Sequence, residues 1–134
     1  MTEQTLTIRA FEEPARHVLV LDGELDIAGA PAFEAAAARL RELGAVEILV
    51  DISDVGFIDS IGVRSILTVK AACARDRCEF TMTHGSEHGE RIFELTRLLD
   101  HLPFRAPKED RFRREIELEP DSDGGRGRSD YGRP

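Results

Sequence analysis

Hydrophobic and polar positions follow two rhythms along the chain. In TLTIRA, Leu6, Ile8 and Ala10 alternate with polar neighbours, which predicts a strand. HVLVL, His17 to Leu21, is a short apolar run without helical period and predicts a second strand. The break FEEPAR around Pro14 lies between them, so the two read as a hairpin. DGELDIAGAP then leads out of the sheet. From about Pro31 to Leu43 the rhythm becomes helical: Phe33, Ala36, Ala37, Leu40 and Leu43 form one apolar stripe. Pro31 suits a first turn, where its missing N–H has no helical partner, and Gly44 suits a C-terminal stop.

VEILVDI, Val46 to Ile52, is β-branched and nearly all apolar, the pattern of a central strand covered on both faces. SDVGF is expected to be the loop after it. Ser60 to about Ala74 is expected to be helical. CEFTMT alternates Cys78, Phe80 and Met82 and predicts another strand. From about Glu87 to Leu99, Ile92, Leu95 and Leu99 return to helical spacing, with Phe93 beside them. FRAP is a candidate for a last short strand. KEDRFRREIELE reads two ways: Phe112 and Ile116 fit a helix turn, Ile116 and Leu118 a strand. Alternating strands and helices imply an α/β domain whose later strands are parallel. From Glu119 onward almost nothing is apolar. The expected organisation is one domain over 1–118 and a disordered, solvated tail over 119–134.

The totals narrow the function classes. At 134 residues the chain is one domain by length and can bury a core without staples. A net charge of −8 argues against a nucleic-acid surface, which needs clustered Lys and Arg. Cys73 and Cys78 lack further ligands at metal spacing and read as small apolar residues in a reducing cytoplasm. His84 and His88 are four apart, but no third ligand is evident, so no metal is expected. No apolar run approaches a membrane span, and MTEQTLTIRA lacks a secretory pattern, so a cytosolic protein is expected. Neither a Walker-type loop nor G-x-G-x-x-G is present, so no nucleotide cofactor is expected.

The chemistry concentrates where Phe57 and Ile58 run into Asp59-Ser60. A hydroxyl at a helix start can accept a bond from an unpaired N–H, and a cap of this kind is worth about 1 kcal/mol against Ala. At the helical 100° per residue, Ile61, Arg64, Ser65 and Thr68 share one stripe beside Ser60. Gly62, Val63, Ile66, Val69 and Cys73 lie on the other side and read as core. Ile61 is then an apolar residue on the polar face: an isolated exposed side chain, or a contact anchor. Gly62 either allows close approach of a partner or lets the helix pack on the sheet. Asp26 follows one strand and Ser60 another, so both are expected at the same end of the sheet. Asp26 reads as an Asx-type turn or a partner contact.

Two stretches carry a resemblance. GELD, Gly23 to Asp26, followed by a helix is the weaker mark. LVDISDVGFIDSIGVRSIL is the stronger one. A hydrophobic strand, a D-x-S-D-V-x-F turn and Asp-Ser-x-Gly opening a helix resemble the STAS domain, and more narrowly the anti-anti-sigma factors, the antagonists of anti-sigma factors. The resemblance spans roughly residues 5–105 and implies a STAS-like mixed sheet with an N-terminal hairpin and helices packed on it. It implies a binding protein and not an enzyme. Ser60 holds the position that a partner kinase phosphorylates in that family. The unphosphorylated form binds an anti-sigma factor with serine kinase activity, phosphorylation ends the binding, and a serine phosphatase restores it. Asp26, Asp59, Ser60, Ile61, Gly62, Arg64, Ser65 and Thr68 are the candidate contact residues. Where the family often has Ser, Ala or Thr after the phosphosite, this chain has Ile61. Two other readings stand beside this one. One is a scaffold of the same fold that is never phosphorylated, in a signalling or transport assembly. The other is a small hydrolase using Ser60, which lacks the G-x-S-x-G elbow.

Overall fold

Pro14 and Ala15 form the two-residue turn of an antiparallel hairpin, β1 (Leu6–Glu13) and β2 (Arg16–Leu25), with Glu13 opposite Arg16. The structure, a computed structural model, describes residues 6–83, 103–105 and 113–118. After the hairpin come α1 (Ala30–Glu42), β3 (Glu47–Ile58), α2 (Ser60–Arg75), β4 (Glu79–Thr83), β5 (Phe104–Arg105) and β6 (Arg114–Ile116). They build one sheet in the order β5-β4-β3-β2-β1-β6. The four strands from β5 to β2 run parallel, and β1 is antiparallel to both β2 and β6. This is the expected mixed α/β architecture.

Alternation along the strands divides the apolar side chains between the two faces. Leu19 and Leu21 of β2, Ile48, Val50 and Ile52 of β3, and Phe80 and Met82 of β4 share one face. There they pack with Phe33, Ala37 and Leu40 of α1 and Ile66, Val69 and Cys73 of α2. Both helices therefore cover the same side of the sheet. Each large side chain buried there contributes about 1.5–3 kcal/mol. Phe11, Val18 and Leu49 form a smaller buried cluster on the opposite face. Burial on both faces makes β3 the central strand that its composition predicts. Burial raises the Cys78 thiol to about 12, with neighbouring Cys73 adding to the shift, so both cysteines are neutral core residues.

Three expectations change. SDVGF is not a loop: β3 continues through it to Ile58, and β2 likewise runs on through GEL. The two extensions pair with each other, Asp22 with Asp54 and Leu25 with Ile58, across register shifts after Val20 and Gly23. Polar and glycine residues that look like loop are held as strand because each supplies the other's hydrogen bonds. The ambiguous KEDRFRREIELE contains strand β6, paired to β1 and tied by Arg9–Glu115, Arg113–Glu13 and Arg114–Glu12 ion pairs. FRAP does contain a strand, β5. The helix expected over 87–99, the residues His84 and His88, and the tail over 119–134 lie outside the described residues.

Candidate functional site

The ends of β2 and β3 place the two sequence motifs side by side. Leu25 and Ile58 are register partners, both buried, and Asp59 N–H donates to the Leu25 carbonyl at 3.3 Å. Asp26 and Asp59 therefore leave the same end of the sheet from adjacent strands. Asp22 and Asp54, also register partners, add negative charge to this region. Like charges opposite each other in a sheet destabilise it, so stability does not account for that pairing.

Asp59 has extended backbone and caps α2: its Oδ1 accepts the Gly62 N–H at 2.8 Å, and its carbonyl accepts the Val63 N–H at 3.0 Å. This corrects the reading of Ser60 as the cap. Ser60 is the first helical residue, it is exposed, and its hydroxyl forms no hydrogen bond among the described residues. A serine that contributes nothing to the cap presents a free Oγ at the surface, one residue beyond a carboxylate that is already engaged.

Gly62 resolves in favour of packing. It is buried, and a Cβ there would stand well inside contact distance of the Leu25 carbonyl oxygen and 2.9 Å from Ile58 Cγ2. Glycine lets the first turn of α2 lie directly on β2, which fixes where Ser60 points; it does not open room for a partner.

Along α2 the exposed stripe is narrower than the sequence suggests. Ser60, Arg64, Leu67 and Thr68 are exposed, and Ile61 is half-buried at the margin. Ser65, expected on this stripe, is 1% exposed. It lies roughly 40° beyond Ile61 around the helix. Its hydroxyl donates to the Gly62 carbonyl at 2.8 Å, which lets a polar side chain stay in the packed face. Ser65 and Gly62 are therefore withdrawn from the candidate contact surface.

Asp26 is an Asx turn. Its Oδ1 accepts the N–H groups of Ala28 and Gly29, both at 3.1 Å, and its carbonyl accepts Ala30 N–H at 2.8 Å, which aims the chain into α1. Sequence reasoning missed three exposed apolar residues. Ile27 is 69% exposed, Phe57 49% and Leu67 38%. All three stand on the elements that carry Asp26, Asp59 and Ser60. The available signal was an apolar residue directly after the Asp of GELD, and one that breaks the polar side of the helix period at Leu67.

Among the described residues no cluster of three His, Cys, Asp or Glu side chains could hold a metal ion, and no helix is long and apolar enough to cross a membrane.

A family model described as Mlab, STAS domain, matches residues 8–103. No curated protein sequence matches the chain. Several solved structures share its fold. An anti-sigma factor antagonist from Mycobacterium paratuberculosis is 22% identical, with a TM-score of 0.68, over 78% of this chain and 87% of that one. The anti-sigma factor antagonist SpoIIAA in its unphosphorylated form is 18% identical, with a TM-score of 0.59, over 78% of this chain and 89% of that one. A candidate anti-sigma factor antagonist from Thermotoga maritima is 26% identical, with a TM-score of 0.57, over 68% of this chain and 80% of that one.

Proposed function

The chain belongs to the STAS domain family, and from that premise we propose that it is an anti-sigma factor antagonist switched by phosphorylation of Ser60. In the unphosphorylated state it binds an anti-sigma factor that also has serine kinase activity. The kinase carries the ATP. Ser60 Oγ attacks the γ-phosphorus, ADP leaves, and the hydroxyl proton passes to the kinase. The phosphorylated chain is released, and a serine phosphatase hydrolyses the ester to restore binding. Transcription by the sigma factor then follows the phosphorylation state of one side chain.

The observation that carries this reading is the division of labour between Asp59 and Ser60. Asp59 supplies the cap, so the Ser60 hydroxyl is exposed and available. Ile27 after β2, Phe57 near the end of β3 and Leu67 on α2 are exposed apolar side chains on the segments that meet at this end of the sheet. A phosphate adds about −1.5 to −2 charges at neutral pH. Beside Asp59, and with Asp26 leaving the adjacent strand, it opposes any partner face built to meet the existing charge. The helix start accommodates the anion, so the switch acts on the complex and leaves the domain folded.

The test is capture from cytosol of the organism the chain comes from, with wild-type and Ser60→Asp proteins as baits, followed by ATP addition and mapping of phosphate by mass spectrometry. The expected result is a kinase held by wild type and lost by Ser60→Asp, with phosphate on Ser60. Phosphate mainly on Ser53 or on the 119–134 segment would sink the assignment. A second reading draws on the family model itself, which is described as Mlab and not as an antagonist. In it the same surface belongs to a scaffold that is never phosphorylated. Capture of a partner that ATP does not release would favour it.

A further inference from the structure

Arg64, Arg75 and Arg77 are exposed arginines that form no ion pair among the described residues. Arg9, Arg16, Arg39, Arg41, Arg113 and Arg114 each hold a carboxylate at ion-pair distance. Arg64 is exposed, and among the described residues no carboxylate pairs with it. In a chain of net charge −8, Arg64 is the one of Arg64, Arg75 and Arg77 that lies within about one helical turn of Ser60.

Its position is one helical turn beyond Ser60, at i+4 on the same exposed stripe. Side chains four apart on a helix have Cβ atoms about 5–6 Å apart. Cα–Cβ bonds tilt toward the helix N-terminus, so the side chain at i+4 lies over the turn that precedes it. Arg64 thus leans toward Ser60. A serine hydroxyl gives the guanidinium little to bind. A phosphate ester there offers three acceptor oxygens at the reach and geometry of a two-pronged guanidinium contact. The nearest carboxylate in sequence, Asp59, is engaged by Gly62 N–H, and Asp26 is engaged by Ala28 and Gly29. Neither competes for Arg64 in the structure.

We propose that Arg64 is the internal counter-ion of a phosphate on Ser60. Resting on the reading of Ser60 as the phosphoacceptor, this adds a second consequence of modification. The phosphate brings new negative charge, and it also draws Arg64 out of the exposed stripe Ser60–Arg64–Leu67–Thr68. A partner that uses the free guanidinium loses a cation at the moment it meets an anion. The switch is then larger than the charge of the phosphate alone.

The experiment installs phosphoserine at position 60 during translation, so no kinase is needed. The second ionisation of the phosphate is followed by phosphorus NMR in the Arg64 protein, in Arg64→Gln and in Arg64→Lys. Asp59 and the helix N-terminus act equally on all three, so differences report position 64. A cation favours the dianion and lowers the pKa. The expected value is about 0.5 unit lower with Arg64 than with Gln, with Lys between. The gap should shrink on adding salt to about 0.5 M. Circular dichroism checks that each variant is folded, as expected for an exposed position. Equal pKa values with Arg and Gln, in folded proteins, overturn the proposal. The underlying reading fails separately: unmodified protein that gains no phosphate on Ser60 in cytosolic extract with ATP rejects Ser60 as the acceptor, a result the NMR comparison cannot produce.

Discussion

The chain leaves its sheet twice through the same four-residue pattern, and it does so with opposite results. DIAG, Asp26 to Gly29, follows β2, and DSIG, Asp59 to Gly62, follows β3. In each, the Asp Oδ1 accepts the N–H of the Gly three residues on, at 3.1 Å and 2.8 Å. In the first, the Asp carbonyl also takes Gly29 N–H and Ala30 N–H, and the chain turns before α1 begins. In the second, the helix starts at once, and Gly62 is pressed against the Leu25 carbonyl. The residue after the first Asp is an exposed isoleucine, and after the second an exposed serine. One spacing thus yields an apolar loop and a rigid helix start carrying a hydroxyl. What separates them is how closely the backbone behind each glycine approaches.

The widest gap between the two junctions should appear at the glycines. Gly62→Ala must displace backbone and is expected to cost about 3 kcal/mol or more, whereas Gly29→Ala meets the Leu6 side chain at 3.0 Å and should cost about 1 kcal/mol. Urea denaturation midpoints measure both. Equal losses would show that α2 is not seated on β2 as described.

Next in size is binding at the exposed apolar residues. Ile27→Ser and Leu67→Ser should each weaken partner affinity by about 2 kcal/mol, roughly thirtyfold, while changing folding stability by no more than about 0.5 kcal/mol. Calorimetric titration against the captured partner, with a melting curve of the same sample, checks this. If only Leu67→Ser loses affinity, the partner covers the second junction alone.

The capping carboxylates come third. Asp59→Ala should cost about 1 kcal/mol, and Asp59→Asn, which still offers an oxygen to Gly62 N–H, much less. Asp26→Ala should cost a similar amount, since it removes the side-chain acceptor of the Ala28 N–H, while Gly29 N–H keeps the Asp26 carbonyl. Thermal unfolding ranks the three.

Ser60→Ala should be the quietest change in stability, within about 0.5 kcal/mol, because the cap belongs to Asp59. The same variant should take up no phosphate at that position when incubated with the captured kinase and ATP. A loss near 1 kcal/mol would mean that Ser60 shares the cap after all, and the contrast between the junctions would narrow.

Much of this was legible from residue order. The hairpin around Pro14, the two-sided burial of Ile48, Leu49 and Val50, and helices near 31–43 and 60–74 follow from local periodicity, because burying one face imposes a period of 2 or 3.6 wherever it occurs, although Val46, expected in that strand, is exposed. The position of Ser60 at a helix start was legible for the same reason. Tertiary structure decided the rest. DGEL and SDVGFI have loop composition and become strand only because each pairs with the other. Ser65 looks exposed on a helical wheel, yet the carbonyl of Gly62 satisfies its hydroxyl and lets it enter the packed face. The Asp59 cap joins residues three apart, but the role of Gly62 depends on how near Leu25 lies, which no window of neighbouring residues encodes. Local pattern sets which face of each element turns inward. Contacts between segments distant in sequence set which strands pair and how closely α2 lies on β2, and therefore which locally satisfied polar groups are buried.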